Sequence, residues 1–214
     1  MPRPDREAPL GREGFARRVP AVSRETLDRL EAYLALLTRW QRAINLVGPS
    51  TLADPWRRHL LDSAQLAGHW PEGGRVLVDL GSGAGLPGLI LAAMAAPEAH
   101  LVESDQRKAA FLREAARALG VAVQVHACRI EAAPPIRADA VSARALAALP
   151  QLLSYAERFI GPGTRCLFLK GRNAEAELTD AREHWMMRAR VLPSMSAEDG
   201  RIILLDEVTR AGRS

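Results

Sequence analysis

The residues best suited to chemistry stand together in Asp79-Leu80-Gly81-Ser82-Gly83-Ala84-Gly85-Leu86-Pro87-Gly88, where an acid is followed by glycines at alternate positions. Glycine has no Cβ and accepts positive φ, so such a loop can turn sharply and pass close beneath a ligand. A second acid, Glu103, closes the run Ala99-His100-Leu101-Val102 about eighteen residues beyond Gly85, and Ser104 follows it. A carboxylate at that spacing can hold both hydroxyls of a ribose. The loop and Glu103 together describe a nucleoside site.

Two frames compete for the loop. Gly83-Ala84-Gly85-Leu86-Pro87-Gly88 satisfies the dinucleotide pattern G-x-G-x-x-G, but four residues separate it from Val78, and that fingerprint should open directly off its strand. Read from Asp79, the acid-x-G-x-G-x-G frame is that of enzymes using S-adenosylmethionine (SAM). Asp79 then works on the methionine part, while Gly81, Ser82, Gly83, Gly85 and Leu86 carry the chain past the cofactor. SAM has no pyrophosphate, so the following helix N-terminus has no dianion to hold. SAM is the expected cofactor.

The elements that must position these residues follow from the apolar patterning. Val76 to Leu80 predicts a strand, and Pro87 suits the first turn of the next helix. Gln106 to Leu119 predicts a helix ended by Gly120. Val121 to His126 is a third strand, after which Ile130 and Glu131 should lie beside the base of the nucleoside. Ala138 to Ser142 is a fourth strand, followed by Ala143-Arg144-Ala145. Arg165 to Leu169 is a fifth, ending at Lys170-Gly171-Arg172. Helices are predicted over Leu149 to Phe159 and Ala174 to Trp185, and Val191-Leu192 pairs with Arg201 to Leu205. The expected fold is α/β: a Rossmann-like class I SAM-dependent methyltransferase with a seven-stranded, mostly parallel sheet, a terminal antiparallel hairpin and N-terminal helices.

Residues 1–20, rich in Pro, Gly and Arg, read as a flexible leader. Residues 21–72 form an N-terminal helical segment and 73–214 the methyltransferase domain. In the helical segment, Leu27, Leu30, Leu34, Leu37, Trp40 and Ile44 recur at helical spacing after the cap Ser23. A second helix starts at Asp54-Pro55 and carries Arg57, Arg58, His59, Asp62 and Ser63. Arg57 and Arg58 suit RNA phosphates or a solvated helix face; His59 by itself reads as a surface or core histidine.

The chain of 214 residues carries a net charge of +4 and a pI of about 9.7, which permits an anionic partner such as nucleic acid. No apolar run approaches a membrane span, and the N-terminus lacks the apolar core of a secretory signal. A soluble, cytoplasmic protein with no membrane partner is expected. Cys128 and Cys166 are far apart, and no metal-ligand cluster or Ser/His/Asp order is present.

What is missing narrows the reaction. Methylation of an exocyclic amine usually needs an Asn/Asp-Pro-Pro-aromatic loop after the fourth strand, where this chain has Ser142-Ala143-Arg144-Ala145. Methylation of cytosine carbon five needs a cysteine near there. An acceptor that is already nucleophilic remains, and guanine N7 has a lone pair and no proton to lose. Such a reaction can rely on placement in line with the sulfonium methyl. Arg144 is the residue placed to act, either on the acceptor base or on the methionine carboxylate of SAM.

The glycine loop through Leu86-Pro87-Gly88, Arg58-His59-Leu60-Leu61-Asp62-Ser63, Ser142-Ala143-Arg144-Ala145 and Leu169-Lys170-Gly171 resemble the ribosomal RNA small subunit methyltransferase G family, also called glucose-inhibited division protein B. The resemblance runs from about Leu30 to Leu205. It implies SAM-dependent methylation of guanine N7 in a 16S rRNA loop, on the small ribosomal subunit or its assembly intermediate, by a monomer. It also implies cofactor contacts at Gly81, Leu86, Ile130, Glu131 and Arg144. Arg57, Arg58, His59, Lys170 and Arg172 are the candidates for the RNA side. Asn45-Leu46-Val47-Gly48 departs from the family's usual Asn-Leu-Thr, and Glu103 stands where Asp is common. A SAM enzyme acting on a small molecule and a non-catalytic RNA- or nucleotide-binding protein are the rival readings.

Overall fold

The computed structural model describes residues 8–212. Seven strands form one sheet in the order β3-β2-β1-β4-β5-β7-β6. They are β1 (Val76–Leu80), β2 (Glu98–Val102), β3 (Val123–His126), β4 (Ala140–Arg144), β5 (Arg165–Lys170), β6 (Trp185–Pro193) and β7 (Arg201–Arg210). β1 to β5 are parallel to one another, and β7 is inserted antiparallel between β5 and β6. The expected sheet with its terminal hairpin is present, and the hairpin arms are longer than Val191-Leu192 and Arg201 to Leu205 suggested. Trp185, expected to end a helix, opens β6, because its ring is buried against the core beneath the sheet.

Helices α4 (Gly88–Met94) and α5 (Gln106–Leu119) cover one face, and α6 (Leu149–Ala156) and α7 (Ala174–Ala181) the other. Parallel strands sandwiched in this way are buried on both sides, and β1 reads as an apolar run for that reason. The strand order reverses between β1 and its neighbours β2 and β4. A crevice therefore opens at the carboxyl ends of β1 and β4. Register sets Asp79 beside Ser142, and Arg144, the last residue of β4, beside Leu169.

The N-terminal helices are part of the same body. Helix α2 (Arg24–Gln41) is capped by Ser23, whose hydroxyl accepts from the Thr26 N–H at 3.0 Å. Its apolar stripe packs on α5, with Tyr33 and Trp40 both against Phe111. The leader needs correction. Gly11–Arg18 is helix α1, and its Phe15 is wholly buried, tilted against Trp56 at 5.4 Å between ring centroids. Two apolar anchors, Leu10 and Phe15, hold this short helix, too few to show as periodicity. The rest of the expected leader's start, residues 1–7, lies outside the described residues.

From Trp56 to His69 the backbone is helical with changing pitch: a π-helical Trp56–Leu61, one α turn at Asp62–Ala64 (α3) and a 3-10 stretch over Gln65–His69. No helix among the described residues is long and apolar enough to cross a membrane.

Candidate active site

A cleft of about 870 Å³ opens at the carboxyl ends of β1, β4 and β5. That volume is within the range of pockets that enclose a cofactor or drug-sized ligand. The glycine loop forms its floor, the helical run around Arg58, His59 and Asp62 one wall, and the segment joining β6 to β7 another.

The loop follows from its glycines. Gly81, Gly83 and Gly85 have φ of 62°, 54° and 80°, the left-handed region that other residues avoid. Their surroundings differ. A Cβ on Gly85 would lie 2.3 Å from Leu89 Cδ1, and one on Gly81 2.6 Å from Leu146 Cδ1. At Gly83 a Cβ would meet only the Gly81 carbonyl, at 3.7 Å, with open cleft beyond. The first two glycines allow packing around the loop, and Gly83 is the one whose bare face looks onto the ligand space. The Gly83 N–H donates to Glu103 Oε2 at 2.9 Å, and Asp105 N–H to Glu103 Oε1 at 2.8 Å. Glu103 thus braces the loop with both oxygens; it is buried behind Gly83 and is not among the residues that line the cleft. This is a cradle that SAM fits: left-handed backbone with a bare face, a carboxylate beside it and an arginine at the far end.

Asp79 does not line the cleft. It is wholly buried beneath the loop; Ser142 Oγ donates to its Oδ1 at 2.5 Å, and Oδ2 has no hydrogen-bond partner among the described residues. Burial pushes its carboxyl up to about 6, against the pull of the Ser142 hydroxyl. Ser82 is also buried, its hydroxyl donating to the Asp79 carbonyl at 3.0 Å. Ile130 and Glu131, beyond β3, and Ser104, beyond β2, lie outside the cleft proper on the Glu103 side. Arg158, with no signal in the sequence, grips that turn by donating to the carbonyls of both Ile130 and Glu131.

Arg144 enters the cleft from the end of β4. Among the described residues its side-chain hydrogen bonds all run through Nη1: to the Arg58 carbonyl at 3.3 Å, His59 Nδ1 at 3.4 Å and Asp62 Oδ2 at 3.3 Å. Nε and Nη2 make none among the described residues, so one donor edge of the guanidinium is held and the other is open. His59 is buried rather than a surface residue, and burial, then the charges of Arg144 and Arg58, lower it to about 4. Its tautomer follows from polarity. Thr51 Oγ1 donates to the Gly48 carbonyl, so it accepts from His59 Nε2 at 2.9 Å, and Nδ1 keeps its lone pair for Arg144.

The basic residues assigned to RNA divide. Arg58 is exposed and lines the cleft; its carbonyl accepts from Arg144, while its guanidinium makes no hydrogen bond or ion pair among the described residues. Arg57 is turned away; Nε donates to Asp54 Oδ2 at 2.7 Å and Nη2 to the Ala8 carbonyl at 3.0 Å, which tethers α1. Lys170 lines the cleft but is nearly buried, its Nζ 2.6 Å from Glu177 Oε2 and donating also to the Ala147 carbonyl. Arg172 sits at the rim, paired with Asp199 at 3.0 Å. Among the described residues no group of three or more His, Cys, Asp or Glu is placed to hold a metal ion.

Known proteins resemble this chain over most of its length. The profile of the family described as rRNA small subunit methyltransferase G matches residues 26–203. A protein of Rhodospirillum centenum named ribosomal RNA small subunit methyltransferase G is 60% identical over 191 residues, covering 89% of this chain and 88% of its own. The protein of the same name from Rhodospirillum rubrum is 53% identical, over 93% of this chain and 98% of its own. Among solved structures, an O-methyltransferase from Bacillus cereus in complex with SAH aligns with a TM-score of 0.59 and 14% identity, over 90% of this chain and 96% of its own. At that identity the likeness speaks for the fold.

Proposed function

We propose that this chain, which belongs to the rRNA small subunit methyltransferase G family, methylates guanine N7 in 16S rRNA of the small ribosomal subunit or its assembly intermediate. The activity of the family is SAM-dependent methylation of rRNA, and SAM is the cofactor. Bound in the cleft, SAM supplies an electrophilic methyl group on a sulfonium. The finer reading, guanine N7, rests on one observation: every lining group that could take a proton is already engaged. His59 has one nitrogen facing Thr51 and the other facing Arg144. Asp62 accepts from Arg144 and Ser196, Glu177 from Lys170 and the Leu149 N–H, and Asp199 from Arg172. An acceptor amine or hydroxyl would need such a base in the transition state. Guanine N7 needs none, and placement alone can serve it.

Arg144 supplies placement. Its open edge can grip the methionine carboxylate through two parallel hydrogen bonds, or donate to guanine O6. The common arginine contact to O6 and N7 together is unsuitable here, because it would occupy the lone pair that must attack. Arg58, exposed at the mouth, supplies a cation for the RNA backbone. The reading carries with it a monomeric, cytoplasmic enzyme. The test is to incubate the protein and labelled SAM with small subunits and with naked 16S rRNA from a strain lacking the enzyme, then map the product. Label on guanine N7 is expected; label on another atom, or only on a small molecule, rejects the reading.

A further inference from the structure

Two residues one helical turn apart, Asp62 and Gln65, reach from the N-terminal helical run to the segment joining β6 and β7. Gln65 Nε2 donates to Ser194 Oγ at 2.9 Å, and Gln65 Oε1 accepts from the Met195 N–H at 2.8 Å. Ser196 Oγ donates to Asp62 Oδ1. Ser196 is buried, and with its proton on Asp62 it must accept from Ser194 Oγ, 2.8 Å away. The chain therefore runs from the Ser194 hydroxyl to the Ser196 hydroxyl to the carboxylate. The other oxygen of that carboxylate, Oδ2, accepts from Arg144 Nη1 at 3.3 Å. Ser196, Ala197, Asp199 and Gly200 go on to line the cleft.

We propose that Asp62 is a positioning residue for methyl transfer, a joint whose one oxygen orients Arg144 while the other fastens the β6–β7 wall. The aim of the arginine and the position of the wall are thereby set by one side chain. The inference rests on the reading of the cleft as the site of methyl transfer, and adds that a residue outside the glycine loop and β4 sets its geometry. An amide breaks this order: with its oxygen on Arg144, its NH2 would donate to Ser196 Oγ, whose proton would turn back on a Ser194 hydroxyl that already accepts from Gln65 Nε2 and the Ser196 N–H.

The test has two arms. In the first, methyl transfer to small subunits is measured for Ser196→Ala, Arg144→Ala and the double variant. If Asp62 couples the two sides, Ser196→Ala lowers kcat about tenfold in the unaltered protein and less than about twofold where Arg144 is already gone. Multiplicative effects overturn the proposal. A merely structural role for Ser196 would shift thermal unfolding and leave the two effects independent. In the second arm, hydrogen exchange is followed over residues 194–200 in SAM-loaded protein. Asp62→Asn should speed exchange there about tenfold or more, and unchanged exchange overturns the joint. Should Asp62→Asn fail to fold, Ser196→Ala is put through the same exchange measurement with the same expectation. If the unaltered protein methylated no RNA while the exchange result held, the reading of the reaction would fall and the joint would stand.

Discussion

The Tyr33 hydroxyl donates to the Ala84 carbonyl at 2.7 Å across 51 residues of sequence, inside a fully buried contact. It ties helix α2 directly to the glycine loop, alongside the shared apolar packing of Ala84 and Leu86. Burial raises the Tyr33 phenol above its ordinary value, so it remains a donor at all working pH. Helix α2 is therefore a structural support of the glycine loop that floors the cleft.

Tyr33→Phe should leave the Ala84 carbonyl buried without its donor and destabilise the fold by about 1–3 kcal/mol. SAM affinity should fall with it, because the loop loses its brace from below. Urea unfolding and calorimetry check the two effects; a loss of stability with unchanged SAM affinity would separate the tie from the site.

Glycines 83 and 85 should respond differently to alanine. Gly83→Ala meets no clash, carries only the cost of its positive φ, about 1 kcal/mol, and folds. Its new methyl faces the cleft, so SAM binding should weaken well beyond that cost, and Gly83→Val should abolish it. Gly85→Ala drives a methyl into Leu89 and should destabilise the whole protein. Equal stability losses in the two variants would contradict this division.

Two buried groups pull stability in opposite directions with pH. His59, lowered to about 4, is neutral when folded and protonated when unfolded between about 4 and 6.5, so stability is lost as pH falls through that window. Asp79, raised to about 6, is protonated when folded and ionised when unfolded between about 4 and 6, so its contribution grows as pH falls. Each is worth about 3 kcal/mol at most, and they largely cancel. Relative to the unaltered protein, Asp79→Asn should lose stability more steeply from pH 6.5 to 4, and His59→Gln should lose less. Parallel profiles in denaturant titrations would show that neither shift exists.

Arg58 and Arg57 should separate in salt titrations. Arg58→Gln should flatten the dependence of RNA affinity on salt by about one phosphate contact and spare SAM affinity. Arg57→Gln should leave that slope alone and lower stability, since it removes the tether to Asp54 and Ala8. A flattened slope from Arg57→Gln would return it to the RNA surface.

Arg144 divides its two roles kinetically. If its open edge holds the carboxylate, Arg144→Ala should weaken SAM first, saturating SAM should restore part of the rate, and Arg144→Lys should rescue more than it would a contact to the base plane. If it orients the base, turnover should fall with SAM affinity intact. Near-normal values of both would remove it from the site.

How much was legible in the sequence differs by element. The strand, glycine turn and helix from Val76 to Met94 could be read because they are local: glycines at positive φ, an apolar strand before and a helix after lie in consecutive residues, whereas the burial of Asp79 beneath the turn is set by β4 and left no such sign. The alternating β and α pattern likewise carried the parallel sheet, and Gln106 to Leu119 with Gly120 matched its helix end to end. Helix α1 escaped because Leu10 and Phe15 are anchored by partners some forty residues away, which leaves no period to find. The fates of the charged residues also lay beyond the sequence. Arg57 and Arg58 are neighbours with the same chemistry, yet the π-helical turn sends one to Asp54 and leaves the other at the cleft. Asp62 meets Ser196 only because the chain returns through β6 and β7 to the same end of the sheet. Local backbone demands are written in neighbouring residues; which charges meet is decided by the folded topology, since pairs remote in the chain leave no local trace.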